Sequence, residues 1–238
     1  MIVDNLVEAI FPVVDANSYQ SAILTPTNSS SFHINQQVLA RLDKPSKIYL
    51  GVTRRLNEDG SEDTTHNMPV EALNSLTPNG MPPNSLELKE GALIMLLRNL
   101  DTSIGLCNGT RMLVTALHEL SIEAEIVGST FSGTRHLIPR LRLSPSDADI
   151  GFKMEREQIP VRVAYAFTIN KSQGQTMDRV GIDLDHPVFS HGQLYVAFSR
   201  VKSLNNVKVR MTPCANKQGI ASNNVYFTQN VVYNDVLS

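Results

Sequence analysis

The sequence predicts an α/β domain that is built from both ends of the chain and interrupted by a β-rich insertion. Near the start, the apolar residues 21–24 are followed, from Asn28 onward, by apolar side chains at helical spacing. After Pro160, strand-like and helix-like patterns alternate again. Such alternation is typical of an α/β layer. We therefore expect residues 1–69 and 159–238 to form one discontinuous domain.

Residues 70–158 form the predicted insertion, because short apolar segments there are separated by turn residues, as in an antiparallel β unit. Asn108-Gly109 is a hairpin signal between two of these segments. Residues 54–67 are polar and aperiodic, which predicts an exposed loop. The predicted strands are 92–97, 111–117, 122–127 and 136–141 in the insertion and 161–167, 180–184 and 207–211 after it, with a helix at 192–199.

Composition leaves the function open. The chain has 238 residues, 42% of them hydrophobic, and a formal net charge of −2, so no global basic field points to nucleic acid. Two cysteines are too few for a disulfide framework, which favours a reducing compartment. The first residues lack the pattern of a signal peptide, and no apolar run is long enough to span a membrane. We expect an intracellular protein without a membrane partner, nuclear if its source is eukaryotic.

One loop carries a dense set of polar donors. An apolar strand leads into hydroxyls at Thr168 and Ser172, an amide at Asn170 and a cation at Lys171, and Gly174 allows backbone N–H groups to approach a ligand closely. These groups favour oxyanions such as phosphate. The alternative is an ordinary strand followed by a solvated turn.

A second segment ends in an arginine. The helix-like residues 192–199 precede Arg200. A guanidinium at the end of a rigid element can reach a phosphate and stabilise developing charge. The alternative is a cation that interacts favourably with a helix C-terminus.

Both segments resemble known motifs. Residues 168–176 resemble the fifth conserved motif of superfamily 1 helicases, and Tyr195-Val-Ala-Phe-Ser-Arg200 resembles the sixth. Further segments are similar to the PIF family of DNA helicases, above all to its Helitron branch. They are Ala22-Ile-Leu-Thr-Pro with Asn28 and Asn35, and residues 69–76, 86–101, 105–111, 138–140, 156–160 and 189–193.

The resemblance implies a second RecA-like motor domain with a small inserted β-barrel. In this family a first RecA-like domain binds ATP and Mg²⁺, the second closes over them, and single-stranded DNA lies across both. The motor then moves 5′ to 3′ along the strand. The implied partners are therefore single-stranded DNA and a first RecA-like domain in cis.

The resemblance also implies roles for individual residues. Arg200 would be the catalytic arginine finger directed at the γ-phosphate. The residues carried over to nucleotide binding are Gly174, Gln175 and Thr176, and those carried over to DNA binding are Thr168, Asn170, Lys171, Ser172, Thr25, Asn28 and Asn35. Asn28 and Ser29 could equally be helix caps.

Other site chemistries fit the sequence less well. His186 and His191 have no cysteine partners and no metal-ligand spacing, so we expect no metal site. Ser190 and His191 are adjacent in sequence, and such neighbours rarely meet as nucleophile and base.

The sequence contains no Gly-x-x-x-x-Gly-Lys-Ser/Thr loop, which holds ATP's phosphates in such motors. We therefore expect no ATP hydrolysis by this chain alone. The leading hypothesis is the C-terminal part of an ATP-dependent DNA helicase. The alternatives are a catalytically silent module that binds single-stranded DNA or protein, and a non-functional relic.

Overall fold

The computed structural model describes residues 2–57, 59–63, 68–145, 150–214, 218–220 and 225–232. The chain divides into two compact units. The first consists of Met1–Arg41 and Ala164–Ser238, and the second of Leu42–Val163. The chain therefore leaves the first unit after Arg41 and returns to it at Ala164.

These unit boundaries differ from the predicted domain boundaries at 69/70 and 158/159. The difference arises from strand pairing, since β2 (Ser46–Leu50) pairs with β4 (Ser85–Lys89), and β3 (Val52–Leu56) pairs with β10 (Lys153–Gln158). Residues 46–56 thus share sheets with later strands, a relation that local sequence patterns do not contain.

The first unit is built on a parallel sheet with the strand order β12-β1-β13-β14. Every residue of β1 is buried, which matches the continuous apolar sequence expected of a strand covered on both faces. The strands are β1 (Ser21–Thr25), β12 (Ala166–Thr168), β13 (Arg179–Leu184) and β14 (Val207–Met211), and the helices are α1 (Leu6–Ile10), α2 (Asn28–Ala40) and α4 (Gln193–Phe198). A two-stranded sheet of β15 (Gln218–Ile220) and β16 (Tyr226–Thr228) follows.

The predictions for β1, α2, β13, α4 and β14 are confirmed within about two residues. The close approach of α1 to the sheet depends on Gly181, because a Cβ there would lie 2.9 Å from Ile10 Cγ1 and 3.0 Å from Ile23 Cγ1. A larger residue would force the sheet and helix apart.

The predicted strand at 161–167 is wrong as a single element. The chain forms β11 (Val161–Val163), breaks at Ala164 and Tyr165, and continues as β12. β11 pairs with β5 in the second unit, whereas β12 pairs with β1 in the first. A mainly apolar run such as 161–167, in which Arg162 is the one charged residue, cannot reveal that the chain changes sheets.

The second unit consists of antiparallel sheets. One has the strand order β11-β5-β6-β7-β8, another β3-β10-β9, and β2 pairs with β4. The additional strands are β5 (Leu93–Leu96), β6 (Arg111–Leu117), β7 (Ser121–Ile126), β8 (Arg135–Pro139) and β9 (Leu141–Leu143), and one short helix, α3 (Val70–Ser75), lies between β3 and β4. The small β-barrel stays a prediction, because the described strand order ends at β11 on one side and β8 on the other.

Two predictions for the second unit are corrected. The loop expected at 54–67 is partly strand, since Arg54 and Arg55 belong to β3, while residues 64–67 lie outside the described part. Asn108-Gly109 lies in the connection between β5 and β6, but this connection is longer than a tight hairpin and contains a 3₁₀ turn at Thr102–Ile104.

A buried arginine organises the irregular segment between α3 and β4. Arg156 is fully buried, and it donates hydrogen bonds to Thr53 Oγ1 and to the carbonyl oxygens of Leu73, Asn74, Leu76 and Pro82. Burial lowers the pKa of this guanidinium. Carbonyl oxygens that would otherwise be unsatisfied thus receive their donors from a single side chain.

None of the helices in the described residues is long and apolar enough to cross a membrane.

Replacing Arg156 with methionine should lower the free energy of unfolding by about 2–4 kcal/mol, because the buried carbonyl oxygens of residues 73–82 would lose charged donors. Urea denaturation followed by circular dichroism measures this change. Arg142→Met is the matched control, since Arg142 is 67% exposed and its ion-pair distances to Glu155 and Glu157 are 3.9 Å. Equal stability of the two variants would contradict the role given to Arg156.

Candidate functional site

The carboxyl ends of the parallel strands meet at one edge of the first unit's sheet. β12 ends at Thr168, β1 at Thr25 and β13 at Leu184, and each is followed by a polar segment. Open α/β sheets bind ligands at this edge. The two segments singled out from the sequence around Thr25 and Thr168 therefore lie next to each other, since β1 and β12 are neighbours with Thr25 opposite Thr168.

The loop after β12 begins with a 3₁₀ turn, Ile169–Ser172. Asn170 is exposed, and Thr168 and Lys171 are half-buried, so all three can present polar atoms to a ligand. Ser172 differs, because its side chain is buried and its hydroxyl donates to Ile169 O at 2.6 Å. The expected DNA contact of the Ser172 hydroxyl is therefore corrected to a structural hydrogen bond that closes the turn.

The second half of this loop is open to solvent. Gly174 has a φ of 78°, and no atom lies within 4 Å of the position that a Cβ would take. This left-handed conformation favours glycine. Thr176 is exposed, and Gln175 is half-buried with its backbone N–H donating to Ser172 O at 3.0 Å. The three residues assigned to nucleotide binding thus form an accessible turn.

Arg200 lies against this same loop. It follows α4, and its Nη1 donates to Ser172 O at 3.3 Å and to Gln175 O at 3.2 Å. Its Nε donates to Val196 O at 3.0 Å, and Nη2 donates to Ser199 Oγ at 2.8 Å. These contacts hold the guanidinium in a defined place beside the loop.

The start of α4 is held by Gln193. This side chain is buried, and its Oε1 accepts hydrogen bonds from the backbone N–H groups of Phe189 and Ser190. Its Nε2 is buried without a hydrogen-bond partner. The preceding Gly192 has a φ of 68°. The segment that leads into the Arg200 helix is thereby fixed by one amide side chain.

The turn after β1 is capped by Thr27, whose hydroxyl accepts from Ser30 N at 3.2 Å. The alternative in which Asn28 or Ser29 caps the helix is therefore wrong, by one position for Asn28 and by two for Ser29. Asn28 is exposed in the first turn of α2. Thr25 is fully buried, and its hydroxyl donates to Thr27 O at 2.8 Å. The DNA contact expected of the Thr25 hydroxyl is corrected to this turn-forming bond.

Asn35 is also corrected. Its side chain is buried on α2, where Oδ1 accepts from Tyr165 N at 2.9 Å and Ala166 N at 2.8 Å, and Nδ2 donates to Ala166 O at 2.7 Å. All of these partners are backbone groups of the first unit, so this amide serves the fold and does not face DNA.

The interactions of Asp185, just after β13, were not predicted from the sequence. Asp185 accepts from Ser30 Oγ at 2.6 Å, and its other oxygen accepts from His186 N at 2.8 Å. The N-terminus of α2 is thereby joined to the end of β13. In the described residues there is no group of three His, Cys, Asp or Glu side chains that could hold a metal ion.

Asp183 and Arg210 form a second missed pair. Asp183 is fully buried and accepts two hydrogen bonds of 2.7 Å from Arg210 Nε and Nη2. Burial raises the pKa of Asp183, and the Arg210 guanidinium opposes this shift. The hydrogen bonds to Asp183 raise the pKa of Arg210, which therefore stays charged. The sequence does indicate a buried partner for Asp183, since this residue is the charged member of the mainly apolar run 180–184 in β13.

Comparison with known proteins gives a consistent result. Residues 71–117 match the family model for the 2B domain of DNA helicase Pif1. The chain is 40% identical to the ATP-dependent DNA helicase PIF1 of Homo sapiens over 129 residues, which are 52% of this chain and 19% of that protein. It is 35% identical to PIF1 of Xenopus laevis over 142 residues, which are 60% of this chain and 21% of that protein.

The fold agrees with these relatives. The crystal structure of Bacteroides Pif1 bound to ssDNA matches with a TM-score of 0.59 and 25% identity, over 85% of this chain and 44% of that one. The α/β content of such neighbours is consistent with a RecA-like fold for the first unit. The chain spans about one fifth of the length of the curated relatives named above.

The chain is therefore similar, in sequence and in fold, to DNA helicases. The helicases to which it is similar are those of the Pif1 family.

Replacing Arg210 with alanine should destabilise the protein by about 3–5 kcal/mol near neutral pH, because the buried Asp183 carboxylate would lose its partner. The loss should shrink as the pH falls from about 7 to about 4, since a carboxyl group with a raised pKa in the folded state costs stability only when it is ionised. Urea denaturation at several pH values measures this.

Arg135→Ala is the control, because Arg135 is 62% exposed and forms its ion pair with Glu125 at the surface. Its effect should stay within about 1 kcal/mol at every pH. If the loss of stability in Arg210→Ala does not depend on pH, it does not come from a buried, ionised Asp183 carboxylate.

Proposed function

We propose that this chain is the C-terminal motor part of an ATP-dependent 5′–3′ DNA helicase, which works with a first RecA-like domain in cis. The observation that carries this proposal is the pair of hydrogen bonds from Arg200 Nη1 to Ser172 O and Gln175 O. They bring together the two segments that resemble the fifth and sixth helicase motifs. A loop that faces DNA and an arginine that serves ATP hydrolysis then share one local structure.

In this proposal, single-stranded DNA binds along the first half of the loop. Thr168, Asn170 and Lys171 supply a hydroxyl, an amide and a cation, and Asn28 lies on the adjacent turn. Contacts of this kind go to phosphate oxygens and hold a strand without reading its sequence. The formal net charge of −2 adds no general attraction, so binding depends on these local groups.

The second half of the loop serves the nucleotide. Gly174, Gln175 and Thr176 form its accessible turn, and Arg200 is the catalytic residue directed at the γ-phosphate. ATP and Mg²⁺ are held mainly by the first RecA-like domain, because this chain contains no phosphate-binding loop. An arginine in this role stabilises the charge that develops on the transferred phosphoryl group.

The second candidate is a catalytically silent module that binds single-stranded DNA or protein. The absence of a phosphate-binding loop from the 238 residues favours it. Both candidates place the protein inside the cell, in the nucleus if its source is eukaryotic. Only the helicase predicts that joining a first RecA-like domain restores ATP hydrolysis.

The chain alone should bind single-stranded DNA weakly, and added salt should reduce the affinity, because only a few phosphate contacts are available. Lys171→Ala should reduce it further, and fluorescence anisotropy with a labelled oligothymidine measures both effects. Lys208→Ala is the matched control, since Lys208 lies on β14, at the opposite edge of the sheet from β12. Equal affinity of the two variants would overturn the assignment of the loop.

Arg200→Ala and Arg200→Lys should each reduce ATP hydrolysis about a thousandfold or more in a protein that includes the first RecA-like domain. Lysine keeps the charge but cannot reproduce the planar fork of donors. Steady-state phosphate release measures the rate, and the 238-residue chain alone, expected to show none, sets the background. Both variants should retain single-strand binding, so loss of hydrolysis does not reflect misfolding. If either variant hydrolyses ATP at the parental rate, Arg200 has no catalytic role and is only a cation at the protein surface.

A further inference from the structure

Asn35 makes three of the four hydrogen bonds that its amide group can form, all of them to the backbone of one short segment. The side chain is 6% exposed, and its three hydrogen bonds to Tyr165 and Ala166 are between 2.7 and 2.9 Å long. One oxygen accepts from two consecutive N–H groups, while the nitrogen donates to a carbonyl oxygen. The two bonds to the N–H and carbonyl groups of Ala166 are those that a neighbouring strand would make, and the bond from Tyr165 N is additional.

These bonds lie at an edge strand, just before the polar loop. β12 stands at the end of the strand order, with β1 on its inner side, where Ile23 N donates to Tyr165 O at 2.9 Å. Asn35 binds the backbone of Tyr165 and Ala166 from α2. The polar loop begins at Thr168, two residues beyond Ala166. The segment that leads into the loop is therefore bound by β1 on one side and by Asn35 on the other, while Arg200 binds the loop further on, at Ser172 O and Gln175 O.

The same helix is fixed at its N-terminus to a third strand. Ser30 Oγ donates to Asp185 Oδ2 at 2.6 Å, just beyond β13, and Thr27 Oγ1 lies 2.7 Å from Ser30 Oγ. α2 also follows directly from β1. A single 13-residue helix thus connects the end of β1, the start of β12 and the end of β13.

We propose that Asn35 is a positioning residue, which sets the place of the polar loop 168–176 relative to the turn that begins α2. The expected consequence is that the loop and the turn keep the spacing at which both can bind one strand of DNA. This consequence rests on the proposed function. The geometric part concerns the loop itself and does not depend on any ligand.

The test compares two substitutions on the same helix. Asn35→Ala removes all three hydrogen bonds and leaves two N–H groups and one carbonyl oxygen of 165–166 without their side-chain partner. Val38→Ala is the matched control, because Val38 is fully buried on α2, three residues further on, and its truncation removes only apolar contacts. Both variants are studied at a temperature where thermal unfolding shows that they are folded.

The first measurement is amide hydrogen exchange, followed by mass spectrometry. In Asn35→Ala, exchange in 165–176 should rise about tenfold or more relative to the parent, while β13 and β14 keep parental protection. In Val38→Ala, any change should be spread over the unit. If both variants show the same exchange in 165–176, Asn35 is an ordinary core residue and the proposal is wrong.

Asn35→Asp provides a readout that a general packing role would not change. Its charged carboxylate would face Ala166 O, whereas its protonated form can donate to this oxygen and restore the third hydrogen bond. In either form Oδ1 can still accept from the N–H groups of Tyr165 and Ala166, so loop protection in Asn35→Asp should exceed that in Asn35→Ala. Equal loop protection in the two variants would overturn the proposal.

The second measurement is affinity for an oligothymidine. Asn35→Ala should bind about fivefold or more weakly than Val38→Ala, because the phosphate contacts would no longer lie in register. If the parent protein binds no oligothymidine, the proposed function fails, but the exchange results still decide the role of Asn35. If the parent binds and the two variants bind equally, the link between Asn35 and DNA binding is wrong.

Discussion

The parallel pairing of β1 with both β12 and β13 is the constraint on which the candidate site depends. Because all three strands run in the same direction, their carboxyl ends emerge at one edge, and Thr25 and Thr168, which are 143 positions apart in sequence, become neighbours there. Thr25 stands opposite Thr168 for this reason alone. Without this pairing the polar side chains of the two loops would not lie at a common edge.

The polar side chains of the first unit separate into two groups. Asn170, Lys171 and Thr176 are accessible, whereas Thr25, Asn35 and Ser172 are buried with their polar atoms bound to backbone groups. In the sequence these residues look like a uniform set of ligand-binding residues. In the structure some are accessible to a ligand, and the others, here called framework residues, stabilise the local backbone. The framework residues stabilise the conformation in which the others are presented, and this explains why both kinds occur within a few positions of each other.

Local patterns predicted what local physics determines. Mainly apolar residues identified β1 and β13, and helical spacing identified α2 and α4. These patterns are informative because the spacing of apolar residues along a segment reflects which of its side chains are buried. The break between β11 and β12 was missed, since an apolar sequence is compatible with either sheet. The burial of Asn35 and the partners of Asp183 and Arg156 were also missed, because each depends on residues distant in sequence. The proximity of Arg200 to the loop was implied by the family resemblance rather than by spacing.

The buried guanidinium of Arg156 has a consequence for how the second unit forms. Its carbonyl partners between Leu73 and Pro82 precede it by 74 to 83 residues, and the segment from Leu73 to Pro83 contains Pro78, Pro82 and Pro83, whose nitrogens cannot donate hydrogen bonds. This segment therefore cannot supply hydrogen-bond donors to all of its own carbonyl oxygens. Those that Arg156 binds gain their donor only when β10 is in place. During synthesis it leaves the ribosome well before its donor does, so it is expected to order late and to remain open to proteases and chaperones until then.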